Sequence, residues 1–266
     1  MFLHNINPVF LRIGSLEIRY YGLVMALSVL FGTIFIVKNY VRQNRSTDEN
    51  EVYNALFIMI LCGLAGARID HILLHNPEFY LQNPSEIIAL WHGGLAAHGA
   101  FLGGFLGLWL YCKKRKLKFW QIADLTAIPL ALGLSLGRIA NFINGELYGR
   151  ITSVPWAVKF PGADGFRHPS QLYESATNLI TFAILLLVRK HKMKNGRKKF
   201  QDGFIFWLFI LIYSAFRFTV EFFREPDYKM LGLTLGQFTS LILVIISIPI
   251  LMHLKNPSIK RRPSKK

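Results

Sequence analysis

The chain has 266 residues, of which 52% are hydrophobic and only 17% charged, yet its formal net charge is +16. That balance excludes a disordered chain and a coiled coil, and it is foreign to a soluble globular domain. Twenty-two Phe, ten Tyr and five Trp, with only two Cys, describe a chain that buries itself in an apolar medium without disulfides, and a bilayer is that medium.

Apolar stretches of about 20 residues, the length that crosses ~30 Å of hydrocarbon, recur along the chain. They are continuous rather than alternating, and too long for barrel strands. The predicted fold is therefore an all-α integral membrane protein, a bundle of seven transmembrane helices with a small extracytoplasmic segment.

The first span runs from Tyr20 to Val37. The residues before it carry no basic n-region and the span is long enough to remain an anchor, so no cleavable signal peptide is expected. The second, Val52 to Leu74, carries Arg68, Asp70 and His71 in its outer half. The third, Leu95 to Cys112, is entered through Trp91-His92-Gly93-Gly94-Leu95-Ala96-Ala97-His98-Gly99. The fourth, Phe119 to Asn141, leads into Gly137-Arg138-Ile139-Ala140-Asn141-Phe142-Ile143-Asn144-Gly145-Glu146. A short outer segment, 142–169, follows. The fifth span is Ser170 to Val188; the sixth, Gly203 to Phe223, ends in Arg217-Phe218-Thr219-Val220-Glu221-Phe222-Phe223-Arg224-Glu225; the seventh is Leu235 to Leu254. Residues 1–254 read as one domain without repeats, and 255–266 as a basic cytoplasmic tail that is expected to be disordered.

Charge sets the orientation. The loops after spans one, three, five and seven hold three, five, seven and six Lys and Arg, whereas the opposite side holds only seven in all. Positive residues stay in the cytoplasm, so the N-terminus is predicted outside and the C-terminus inside, which requires an odd number of spans. The basic excess thus fixes topology and touches anionic head groups, and no nucleic-acid partner is implied.

Ionisable groups inside spans are costly enough that function is the default reading. Here they gather near the outer ends, and one polar pocket opening toward the outer leaflet would collect them. Arg138 and Asn141 share a helix face; Arg217, Glu221 and Arg224 follow an i, i+4, i+7 stripe. Arg217 and Glu221 either neutralise each other or serve a ligand. With arginines on two helices, a single local acid is not expected to satisfy both. Gly99, Gly103 and Gly107 on the third span, and Gly133 and Gly137 on the fourth, have the spacing of close helix contacts. That spacing predicts that these two spans touch, bringing His98 near Arg138. Guanidinium forks match phosphate oxygens, and a histidine can accept a proton from a thiol or hydroxyl. His71, His75, His92 and His98 include an i, i+4 pair, but no H-E-x-x-H or Cys-based set accompanies them, so no metal and no cofactor is expected. Cys62 and Cys112 read as small apolar packers.

The sequence resembles the bacterial prolipoprotein diacylglyceryl transferases. The stretch from Gly137 to Gly149 (Gly-Arg-Ile-Ala-Asn-Phe-Ile-Asn-Gly-Glu-Leu-Tyr-Gly) matches that family's signature nearly throughout. Four further segments agree with it: Arg19-Tyr20-Tyr21-Gly22, His92-Gly93-Gly94 through His98-Gly99, Arg167-His168-Pro169-Ser170-Gln171-Leu172-Tyr173-Glu174, and Phe216-Arg217 through Glu221-Phe222-Phe223-Arg224-Glu225-Pro226-Asp227. The resemblance implies a seven-span enzyme of the bacterial plasma membrane with its site toward the extracytoplasmic leaflet. It implies transfer of the diacylglyceryl group of phosphatidylglycerol to the lipobox cysteine of a prolipoprotein signal peptide. It makes His98, Arg138, Arg217 and Tyr21 the catalytic residues, with His98 as the base. The implied substrate-binding residues are Arg138, Asn141, Asn144, Glu146, Gly149, Arg217, Glu221 and Arg224. Ala140 departs from the family's commoner glycine, and the outer segment from Glu146 to His168 is shorter than the head of some relatives. The competing class is a seven-span transporter or lipid scaffold that binds an anionic solute or head group without chemistry. It would tend to show interrupted helices and internal repeats, and the sequence has neither.

Overall fold

The computed structural model describes residues 1–14, 16–192, 199–225, 229–230 and 232–255. Pro226 and Asp227 of the last motif, Lys194, Arg197 and Lys198 of the basic loop after the fifth span, and the tail beyond Lys255 lie outside the described residues. The chain is 71% helical. Its helices are α1 (Tyr20–Gln43), α2 (Glu49–Leu74), α3 (Pro77–Gln82), α4 (Ala97–Arg115), α5 (Phe119–Asn144), α6 (Ser170–Lys192), α7 (Phe204–Val220) and α8 (Leu235–Lys255). All but the short α3 coincide with the predicted spans. Six of them, α1, α2, α5, α6, α7 with its following turn, and α8, are long and apolar enough to cross a membrane, which makes this a multi-pass membrane protein. The 19-residue α4 is not among the six, because four glycines and the basic last turn Lys113, Lys114 and Arg115 dilute its apolar content.

Short strands modify the all-α expectation. β1 (Phe2–Leu3) pairs in parallel with β4 (Val158–Lys159); β2 (Val9–Ile13) and β3 (Leu16–Arg19) form a hairpin; β5 (Lys229–Met230) and β6 (Leu233–Thr234) form another pair. The 142–169 segment is therefore more than a loop. The N-terminal ammonium donates to Pro155 O at 2.8 Å, Phe2 N to Ala157 O at 3.0 Å and His4 N to Lys159 O at 2.9 Å. Beneath that edge Val158, Phe160 and Ala163 form a small core with Phe142 and Tyr148. The first residues of the chain thus complete the segment, a pairing about 150 positions apart that no local pattern announces.

The sequence reads as one domain; contacts gather into two compact units, residues 1–35 with 123–266, and residues 36–122. In the first unit Ala127, Ile128 and Ala131 of α5, Leu185 of α6, and Ile205 and Phe209 of α7 form the apolar core. Buried Asp124 accepts from Gly203 N at 3.1 Å and Phe206 N at 2.9 Å, which satisfies the orphan amides at the start of α7. A capping box opens α8: Thr234 N donates to Gln237 Oε1 and Gln237 N to Thr234 Oγ1, at 3.0 and 3.2 Å. In the second unit α2 and α4 lie face to face, and Glu51 near the start of α2 accepts from Tyr111 and Arg115 at the end of α4.

The glycine spacing has different partners from those expected. A Cβ added at Gly99 would fall 2.1 Å from Gly66 O, and one at Gly103 would fall 2.2 Å from Cys62 O. The α4 stripe therefore meets α2, whose Gly63 and Gly66 supply the matching small surface; both helices must be small where backbones approach this closely. Gly133 and Gly137 of α5 face Ser28 and Met25 of α1, at 3.4 and 3.8 Å from a built Cβ, and Pro129 lies 3.4 Å from one at Gly32. The expectation that these two stripes join the third and fourth spans is corrected accordingly.

Candidate active site

In the first unit, three arginines converge on one acid. Arg138 belongs to the last third of α5, Arg217 to the last turn of α7, and Arg224 follows a single 3₁₀ turn, Glu221–Phe223. Glu174, the sole acid of α6, takes Arg138 Nε at 2.6 Å on Oε2, and Arg217 Nη1 at 3.2 Å and Arg224 Nη1 at 2.6 Å on Oε1. Arg217 Nη2 also pairs with Glu221 Oε2 at 2.8 Å, and Arg224 Nε lies 3.7 Å from the same oxygen. The premise that one acid cannot serve arginines of two helices is corrected: a carboxylate has about four lone-pair positions, and a buried one can accept from several guanidiniums.

The acids are sealed while the arginines are not. Side-chain exposure is 5% for Glu174 and 8% for Glu221, against 23%, 21% and 19% for Arg138, Arg217 and Arg224. Three guanidiniums face two carboxylates, so one positive charge of the group is uncompensated among the described residues. Glu221 is held from a fourth element. Thr234 Oγ1 donates to its Oε1 at 3.0 Å, and a Cβ at Gly236 would press to 2.9 Å from its carboxyl carbon. Glycine at the first turn of α8 thus lets the carboxylate approach a helix N-terminus, where negative charge is favoured.

Backbone pairing places Arg224. Gly149 bridges to Arg224, Arg150 N donates to Phe223 O at 3.0 Å, and Arg150 Nε donates to Arg224 O at 2.6 Å. A side chain at Gly149 has no room, since its Cβ would fall 2.2 Å from Phe223 O. Beside this junction Asn141 Nδ2 and Asn144 Nδ2 both donate to Glu146 Oε1, at 2.8 and 3.1 Å, and Gln171 Nε2 donates to Glu146 O at 2.6 Å. Glu146 as a residue is exposed. Tyr21, the second residue of α1, is 39% exposed. Extending the antiparallel register of Gly32 with Pro129, Ser28 with Gly133 and Met25 with Gly137 by one turn brings Tyr21 level with Asn141.

The second unit holds the histidine. His98 is the second residue of α4 and is exposed. Its neighbour Gly99 donates N–H to Asp70 Oδ2 at 2.7 Å. Arg68, only 5% exposed, is surrounded by backbone carbonyls. His92 Nδ1 lies 2.7 Å from Glu86 Oε2.

The structure therefore brings together Arg138, Arg217, Glu221 and Arg224 in one cluster, and Asn141, Asn144 and Glu146 in another. Glu174 is the residue the sequence reasoning passed over. It stood inside a family motif, and as the one acid of an apolar helix it carried the same signal as Arg138 and Arg217.

Taken together, the apolar helices and the arginine–carboxylate cluster at their ends define a multi-pass membrane protein with a concentrated charged cluster among its helices. A family model described as prolipoprotein diacylglyceryl transferase matches residues 8–253. Proteins named phosphatidylglycerol–prolipoprotein diacylglyceryl transferase are similar over nearly the whole chain. One from Geobacter sulfurreducens is 41% identical over 237 residues, covering 88% of each chain. One from Desulfotalea psychrophila is 39% identical over 242 residues, again 88% of each. One from Ehrlichia ruminantium is 39% identical over 257 residues, 93% of this chain and 96% of the relative. The chain belongs to the prolipoprotein diacylglyceryl transferase family.

Proposed function

We propose that this protein transfers the sn-1,2-diacylglyceryl group of phosphatidylglycerol to the lipobox cysteine of prolipoproteins, forming a thioether and releasing glycerol 1-phosphate. The observation that carries the reading is the surplus positive charge of Arg138, Arg217 and Arg224 around buried Glu174. A phosphodiester carries one negative charge, and planar guanidinium forks fit its oxygens. The lipid enters sideways, its acyl chains remaining in the bilayer while its phosphate meets the arginines. The cysteine thiolate attacks the glyceryl carbon bonded to the phosphate oxygen; the C–S bond forms, the C–O bond breaks, and its electron pair leaves on glycerol phosphate. Arginine donors already oriented by Glu174 and Glu221 stabilise that growing charge without reorganising. His98, or a proton path involving Tyr21, takes the thiol proton. Asn141, Asn144, Glu146 and the cramped Gly149 shape the glycerol side of the site.

The protein resides in the bacterial plasma membrane. α4, third in chain order, completes a set of seven spans: the loop charges require an odd number, with the N-terminus and the site on the extracytoplasmic side. Purified protein with phosphatidylglycerol and a lipobox peptide tests the reaction. A diacylglyceryl mass gain on the cysteine is expected, and a peptide of unchanged mass with lipid still bound would overturn the reading.

A further inference from the structure

The connector between α3 and α4 and the first turn of α4 are moulded onto α2. Arg68 Nε donates to Ile87 O at 3.0 Å, Nη1 to Gly93 O and to Gly94 O, the latter at 3.0 Å, and Nη2 to Glu86 O and to Ala89 O, the latter at 3.3 Å. Its guanidinium also lies 5.1 Å from the centroid of the Tyr80 ring. A buried charge is thus satisfied by the carbonyls of the chain entering α4. Gly94, with φ at 76°, passes so close beneath that a Cβ would fall 2.7 Å from Arg68 Nη1.

Two further bonds pin the helix start. Ala96 N donates to Ala67 O at 3.0 Å, and Gly99 N donates to Asp70 Oδ2 at 2.7 Å. The N-cap residue of α4 is Ala96, which has no capping side chain, so Asp70 supplies from α2 the acceptor that α4 lacks. His98 stands between these two pins. Its ring is exposed and makes no hydrogen bond among the described residues, so the backbone beneath it is what fixes its place.

We propose that Asp70 and Arg68 are positioning residues for His98, Asp70 by capping the first turn of α4 and Arg68 by clamping the connector that leads into it. This rests on the reading of His98 as the proton acceptor. A general base must be within hydrogen-bond reach of its proton, so a frayed first turn lowers turnover without touching lipid binding.

The test is a double-mutant cycle on the purified full-length protein with phosphatidylglycerol and a lipobox peptide. Asp70→Ala is expected to lower kcat by ~10–100-fold, the scale of a misplaced catalytic group, with KM for phosphatidylglycerol unchanged. Asp70→Asn keeps an acceptor oxygen for Gly99 N–H and should retain most of the rate. In a His98→Asn background Asp70→Ala should cost nothing more, because coupled residues are non-additive. An equal loss in both backgrounds, or an Asp70→Ala enzyme of normal kcat, overturns the positioning role while leaving His98 in place. Near-normal turnover of His98→Asn itself overturns the base assignment, and the positioning role with it. Asp70→Ser, whose hydroxyl stops short of Gly99 N–H, takes the place of the alanine variant in the cycle if the latter does not insert.

Discussion

Glu174 and Glu221 do for the arginines what water would do outside the membrane: they hold charge where charge is costly, and they fix the direction of each fork. Breaking such a group is expensive, because an uncompensated buried charge remains. Glu174→Ala should therefore lower stability by about 3–5 kcal/mol, read as a fall in the detergent melting temperature, together with loss of transfer. An unchanged melting temperature would show that the arginines find other partners. Arg138→Lys keeps the charge and loses the planar fork. Transfer should drop by ~10²–10³-fold, the effect of removing one strong transition-state donor, while the protein still inserts. Wild-type turnover in that variant would refute the phosphate clamp. His168 responds to pH. Burial and then the Arg150 guanidinium hold its imidazole below the usual 6.5. The native state therefore binds fewer protons than the unfolded chain around pH 6, so the His168 contribution is complete above about 6.5 and declines as pH falls below it. Melting temperature should decrease from about pH 7 to about pH 5, and His168→Gln should flatten that slope. An identical slope in the variant would assign it to other groups.

At the scale of elements, the α2–α4 seam depends on the absence of side chains. Phe101, Leu102, Trp109 and Leu110 of α4 are exposed, whereas at the seam backbone meets backbone, and the van der Waals gain comes from Cα atoms approaching across Gly66, Gly99 and Gly103. Gly103→Ala puts a methyl 2.2 Å from Cys62 O, so one helix must shift. Overpacking of this kind costs about 1–3 kcal/mol, and a melting temperature at the wild-type value would mean the seam is looser than drawn. The spacing of the glycines was legible in the sequence, and their partner was not. A period of four along α4 says which face is small, but the choice between α2 and α5 is made by where the second small stripe lies.

For the whole molecule, topology follows from charge and length. Cysteines introduced singly at the N-terminus and in the loop after α4 should react differently with an impermeant thiol reagent in intact cells: the N-terminal one labelled, the loop one protected. Equal labelling of both would contradict the odd span count. Six helices long and apolar enough to cross a membrane, at six of the predicted places, show how much of the architecture lies in hydropathy. The strand pairing of Phe2–Leu3 with Val158–Lys159 does not lie there, since two-residue strands have no periodicity and their partners are remote.

The sequence by itself determined what is local and additive: apolar runs long enough to span, and arginine-bearing motifs that place the chain in its family. Tertiary structure alone decided which acid meets which arginine and which helix receives each glycine stripe. Arg138 with Glu174, and Gly99 with Gly66, are separated by thirty residues or more. Contacts at that distance arise from mutual packing of whole faces, so they are properties of the assembled helices and leave no trace in the spacing along any one of them.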